Sequence, residues 1–93
     1  MKITKFEWDK NNLSHLFEGG HSVDPSEIEE AFAPENLFRV INVKDRYHAY
    51  AKTNSGRYLR IIFEYKGKGV ARPITAWDIS EKEKRKIKKK GGK

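Results

Sequence analysis

Three histidines, His15, His21 and His48, are the side chains of this chain best suited to moving protons near neutral pH. There is no cysteine among the 93 residues, which excludes a thiolate nucleophile, a thiolate metal site and a disulfide scaffold. The histidines are scattered and lack close ligand spacing, so no metal or other cofactor is expected. What remains is acid–base transfer by imidazole beside charge stabilisation by Lys and Arg. Each histidine alone is also what an ordinary surface or capping residue looks like. Asp9, Asp24 and Glu27 are explained by helix capping.

The elements that must position these groups can be read from period and punctuation. Residues 2–8 alternate imperfectly and predict a short strand ending at Asp9. Leu13, Leu16 and Phe17 then share one face of a helix over 10–18, closed by Gly19-Gly20. Asp24, Pro25 and Glu27 form a start signal for a second helix over 25–33, ended by Pro34. The acids Glu27, Glu29 and Glu30 read as a solvated helix face. From Leu37 the period shifts toward two: a strand at 37–43, two strands at 46–53 and 57–65 around Asn54-Ser55-Gly56, and a fourth at 69–77. Pro73 puts that fourth strand at an edge or a bulge. Ser80 caps a last helix whose lysines leave only Ile87 apolar, so it is expected to be loosely held.

These elements predict an α+β fold in one domain over 1–93: an antiparallel sheet, two N-terminal helices on one face, and a basic C-terminal helix or tail at 80–93. The other sheet face is expected to be free. Counting outward from the hairpin loop, Lys52 opposes Tyr58, and the pairing continues to Tyr47 and Phe63. Alternation places Tyr47, Ala49, Ala51, Leu59, Ile61 and Phe63 on a core face. Arg46, His48, Tyr50, Lys52, Tyr58, Arg60, Ile62 and Glu64 fall on the other. Cations interleaved with aromatic rings suit single-stranded RNA, whose phosphates need neutralising and whose splayed bases need flat surfaces. An ordinary solvated sheet face has the same composition. Arg72 of the next strand adds to the positive side of this face, while Glu64 has Arg46 as its cross-strand partner.

Net charge is +7, unevenly laid out. Residues 1–36 hold three Lys and eight acids, net −5; residues 37–79 hold nine basic and three acidic residues, net +6; residues 80–93 hold eight and two, again net +6. A basic region of this kind is the electrostatic mark of a polyanion partner, although a lysine-rich end also serves solubility. No apolar run approaches the roughly 20 residues of a membrane span, and the first residues carry no apolar signal stretch. A cytoplasmic protein without a membrane partner is expected.

Several motifs together resemble the BrnT toxin family, small ribonucleases of RelE-like fold. They are Phe6-Glu7-Trp8-Asp9 followed by Asn12-Leu13 and His15, and the run from Val23 to Phe32. Arg46-Tyr47, Thr53, Gly56-Arg57-Tyr58-Leu59 and Ile61-Ile62-Phe63 follow, then Arg72-Pro73-Ile74-Thr75-Ala76 and Glu83-Lys84-Arg85. The resemblance covers nearly the whole chain. Trp77 stands where the family usually has Arg, Gly20-His21-Ser22 replaces its usual Lys-His-Gly, and lysines replace its C-terminal aromatic residue.

The resemblance implies a RelE-like fold and a metal-independent endoribonuclease toxin of a type II toxin–antitoxin pair, inhibiting translation. It implies a cognate antitoxin, a ribbon-helix-helix protein through which the toxin meets operator DNA. RelE-like toxins favour Lys and Arg over a histidine base. Lys52, Arg60 and Arg72 are therefore the expected charge stabilisers, with His21 and His15 as the imidazole alternatives. Arg46, His48, Tyr50, Arg57 and Tyr58 are the expected RNA contacts, although Arg57 points with the core face and can instead anchor the hairpin. A non-catalytic nucleic-acid-binding or co-repressor module of the same fold is the competing expectation.

Overall fold

The computed structural model describes residues 2–17 and 23–91. A short strand β1 (Lys5–Phe6) leads into α1 (Lys10–Phe17), and α2 (Pro25–Ala31) follows. Asp9 and Asn12 close the start of α1 reciprocally: Asn12 N–H donates to Asp9 Oδ1 at 3.0 Å, and Asp9 N–H donates to Asn12 Oδ1 at 2.8 Å. Both donors would otherwise be orphaned in a first helical turn. At α2, Asp24 N–H donates to Glu27 Oε1 at 3.0 Å and Pro25 occupies the first turn, where its missing N–H removes no helical bond.

Four longer strands follow, β2 (Leu37–Val43), β3 (Arg46–Lys52), β4 (Tyr58–Gly67) and β5 (Val70–Asp78), and then α3 (Glu81–Gly91). Sheet order is β1-β5-β4-β3-β2. The β3–β4 register runs from Lys52 opposite Tyr58 to Tyr47 opposite Phe63, as counting from the loop predicts. Gly56 takes φ +93° in that loop, a left-handed value that suits glycine. Pro73 sits opposite Phe63 beside a register shift, so β5 bulges where proline cannot donate.

The expectation of a purely antiparallel sheet needs correction. β1 runs parallel to β5, with Lys5 opposite Val70 and Phe6 opposite Ala71, making the sheet mixed. Alternation over residues 2–8 carries no information about strand direction. Direction is set by the turn before β5, where the Gly69 carbonyl accepts from Thr4 N–H at 2.8 Å and Lys5 N–H at 3.1 Å. Gly69 has φ +79°, and a Cβ there would lie 2.5 Å from Thr4 Oγ1, so the docking depends on glycine.

The core lies where α1 and α2 cover one sheet face. Leu16, Val23, Ile28, Ala31 and Phe32 pack on Ala49, Ala51, Leu59, Ile61 and Phe63, with Phe32 edge-on to Phe63 at 5.0 Å. The acids of α2 are tied down rather than merely solvated. Glu27 meets Arg57 at 2.8 Å, Glu29 accepts from Trp8 Nε1 at 2.8 Å, and Glu30 accepts from Asn54 N–H at 2.8 Å.

Nor is the second sheet face free. Tyr50 and Ile79 are buried there, with Phe38, Ile41 and Tyr58 packed against them. α3 closes over this end: Ser80 Oγ caps it by accepting from Glu83 N–H at 3.1 Å, Glu83 meets Arg60 at 3.0 Å, and Lys84 Nζ stands 4.4 Å over the Tyr58 ring. Ile79, just before the helix, is buried at this end. Among the described residues no helix is long and apolar enough to cross a membrane.

Candidate functional site

With its hairpin end under α3, the second face is open, among the described residues, toward the β2–β3 turn. There an open groove of ≈ 600 Å³ is lined by His15, Arg46, His48, Ile62, Glu64, Ile74, Thr75 and Trp77, with Val43, Lys44 and Asp45 at its rim. That size lies within the range of roughly 300–1,000 Å³ common for ligand sites. Ile62, Ile74 and Trp77 give it an apolar floor. A smaller pocket of ≈ 150 Å³ shares His15, Arg46 and Ile74 with the groove and adds Asn11, Asn12 and Arg72.

Arg60 organises the groove's inner wall. Its Nε and Nη2 point at His48 Nδ1, at 3.1 and 2.9 Å, while Nη1 donates to Glu83. Its guanidinium carbon lies 5.2 Å from the Tyr50 ring centroid and 5.6 Å from that of Trp77. A guanidinium offers only donors, so His48 Nδ1 must accept and the ring proton of the neutral imidazole lies on Nε2. Partial burial and, secondarily, the Arg60 charge hold the His48 pKa below the ordinary histidine value. His48 is thus a neutral N–H donor at pH 7, and its free nitrogen is not a base.

Arg72 is fixed from the other side. Its Nη2 and Nε donate to Asp9 Oδ2 at 3.0 and 3.2 Å. The bond from Asn12 N–H, then the one from Arg72, keeps the Asp9 carboxyl below the usual carboxylate range. Asn12, buried behind them, donates from Nδ2 to the Glu7 and Pro73 carbonyls, both at 2.9 Å, and so ties the start of α1 to the β5 bulge. Arg46 is half exposed, and its ion pair with Glu64 is long, at 3.8 Å.

The groove therefore gathers His15, Arg46 and His48, with Arg72 in the adjoining pocket and Arg60 behind. Other expected site residues are elsewhere. Lys52 lies six residues along β3 from Arg46, roughly 20 Å at strand rise, so it does not sit beside Arg72. Tyr50 is 8% exposed and Tyr58 lies under Lys84, so neither is an open stacking surface. Arg57 anchors the hairpin, with Nε and Nη2 on Asp78 at 2.6 and 3.0 Å and Nη1 on Glu27, and these carboxylates push its pKa up. His21 lies outside the described residues.

The charge expected to stand uncompensated on this face is largely paired: Arg60 with Glu83, Arg72 with Asp9, Arg46 with Glu64. Two of these partners, Asp9 just before α1 and Glu83 in α3, lie outside the strands, where strand alternation cannot see them. Trp77 is the functional candidate that reading by type missed, and its register opposite Arg60 is the signal that could have found it. Among the described residues no cluster of three or more His, Asp or Glu could hold a metal ion. No family model, curated protein or solved structure matches the chain at a significant level.

Proposed function

We propose that the protein is a metal-independent endoribonuclease of the BrnT, RelE-like toxin type, acting in the groove between the end of α1 and the open half of the sheet. The observation that carries this reading is the meeting of two imidazoles and a half-exposed guanidinium over an apolar floor that includes Trp77. In this reading a base stacks on Trp77 and the scissile phosphate lies by Arg46. His15 takes the proton of the attacking 2′-hydroxyl as the oxygen–phosphorus bond forms, and the bond to the 5′-oxygen breaks as that oxygen takes a proton from solvent water. Arg46 stabilises charge on the phosphorane oxygens, and His48 Nε2–H donates to one of them. Arg60 is a positioning residue that fixes the His48 tautomer. A cognate antitoxin, a ribbon-helix-helix protein that also contacts operator DNA, neutralises the toxin in the cytoplasm by covering the groove.

Induced expression with growth and RNA integrity followed together, and cleavage by purified protein in chelator, test the reading. Arg46→Gln should lower cleavage about a hundredfold with binding much less affected, as for other preorganised charge stabilisers. His15→Gln should do likewise, with melting temperature as the fold control. A second reading, a non-catalytic nucleic-acid-binding module, is favoured by the commitment of Arg60 and Arg72 to Glu83 and Asp9. RNA binding by wild-type protein with no cleavage would decide for it.

A further inference from the structure

We propose that the small pocket between α1 and β5 is a phosphate subsite, adjoining the groove with which it shares His15, Arg46 and Ile74, which takes a strand phosphate next to the one at which the groove acts. The inference rests on the ribonuclease reading for its neighbour, but the subsite has its own geometry. At ≈ 150 Å³ it has room for one tetrahedral oxyanion with a few waters, each of which occupies about 30 Å³ in the liquid. Its lining residues are of polar type apart from Ile74. Asn12 contributes surface only, since both its amide bonds go to backbone carbonyls. Asn11, exposed on the first turn of α1, and Arg46 complete the lining with His15 and Arg72.

The arginine geometry separates a ligand site from a structural ion cluster. Arg57, which is structural, closes on its carboxylates at 2.6, 2.8 and 3.0 Å. Around Glu64, three cations stop short of hydrogen-bond distance: Lys66 at 3.6 Å, Arg46 at 3.8 Å and Arg72 at 3.8 Å. With Asp9 counted, the group carries one net positive charge. Arg72 is held by Asp9, so its Nη1 is aimed before any ligand arrives. Glu64 lines the groove and not the small pocket, but it faces Arg46 and Arg72, which do line the pocket, and a phosphate with more acceptor oxygens displaces it from them.

The test uses the full chain with inorganic phosphate at constant ionic strength, chloride serving as control, followed by amide and arginine Nε–H NMR shifts. Saturable shifts at Asn11, Arg46 and Arg72 are expected. Glu64→Gln should tighten phosphate binding about tenfold and Asn11→Asp should weaken it about tenfold, one negative charge being removed from beside Arg46 and Arg72 or added to the pocket lining. Asn11→Asp keeps the fold, because an acid in a first helical turn is favourable. A second arm compares a 5′-phosphorylated with an unphosphorylated dinucleotide, 2′-deoxy at the scissile position. The phosphorylated one should bind about tenfold tighter in wild type and equally in Asn11→Asp. Shifts that chloride reproduces, or affinities unchanged in both variants, overturn the subsite. Free phosphate bound without preference for the phosphorylated dinucleotide overturns its assignment to a strand. RNA cleavage without any phosphate response would leave the ribonuclease reading standing and remove the subsite; a phosphate response without cleavage would do the reverse.

Discussion

Arg60 shows how a residue's type can be legible while its role is not. Type and alternation put a cation beside His48 and opposite Tyr50, and both neighbours are where pairing predicts. The role depends on Glu83 and Trp77, which come from other elements and turn a charge stabiliser into the residue that orients an imidazole. Lys52 fails for a simpler reason, since sharing a face says nothing about distance along a strand. Arg60→Met should lower stability by only about 1 kcal/mol, because the pair it breaks is partly exposed and the ring contacts are modest. Its sharper effect should be on His48, whose pKa should rise part of the way toward the ordinary value as the Coulombic cause is removed and burial remains. The linkage sign is fixed: a folded pKa below the unfolded one means the unfolded chain binds more protons, so His48 subtracts stability as pH falls below about 6.5. Arg60→Met should shrink that loss. NMR titration of the His48 ring together with melts at pH 7 and pH 5 checks both effects, and a His48 pKa that does not move would remove Arg60 from the account.

Among the elements, the strands, the hairpin register and all three longer helix starts were legible, because caps, turn residues and period are local signals. What was not legible is docking. A lysine-rich helix with one apolar residue reads as a frayed tail, yet α3 is seated by a serine cap, a carboxylate on Arg60, and a lysine lying over Tyr58. These contacts are all made by polar side chains, which hydropathy patterns ignore. They divide α3 functionally at about residue 85. Deleting residues 86–93 removes five lysines and none of those contacts, so melting should change by no more than a few degrees. RNA affinity should fall and its salt dependence should flatten by up to about 0.7 in log–log slope for each lysine that met a single-strand phosphate. Deleting residues 80–93 should do more, since it uncovers Tyr50 and Ile79 and leaves Arg60 without Glu83. If the shorter deletion abolished cleavage at saturating protein, a catalytic group would have to lie in the tail, and the groove would not be the whole site.

At the scale of the whole molecule, the acidic first part of the sequence and the basic remainder do not form two separate poles. Asp9, Glu27, Glu29 and Glu30 reach across to Arg72, Arg57, Trp8 and the Asn54 backbone, so much of the early negative charge holds the early elements to one another, to β5 and to the hairpin loop. Composition counts charge and cannot tell which of it is internally neutralised; that is why a charged face was legible and its degree of pairing was not. The division of the sheet also decides where a neutralising partner can act. One face is sealed by α1 and α2, half of the other lies under α3, and the groove is the open remainder. A partner that silences the proposed nuclease by burying Arg46 and His48 must therefore protect backbone amides at 43–48, 62–64 and 72–77, together with the last turn of α1. Hydrogen exchange on the complex against the free protein measures this directly. Amides of α2 should exchange at the same rate in both states, since Glu27, Glu29 and Glu30 already have partners within the chain and offer a second protein little. Protection confined to α1 and α2, with the groove strands unchanged, would mean that the partner acts without covering the site, and inhibition by occlusion would have to be abandoned.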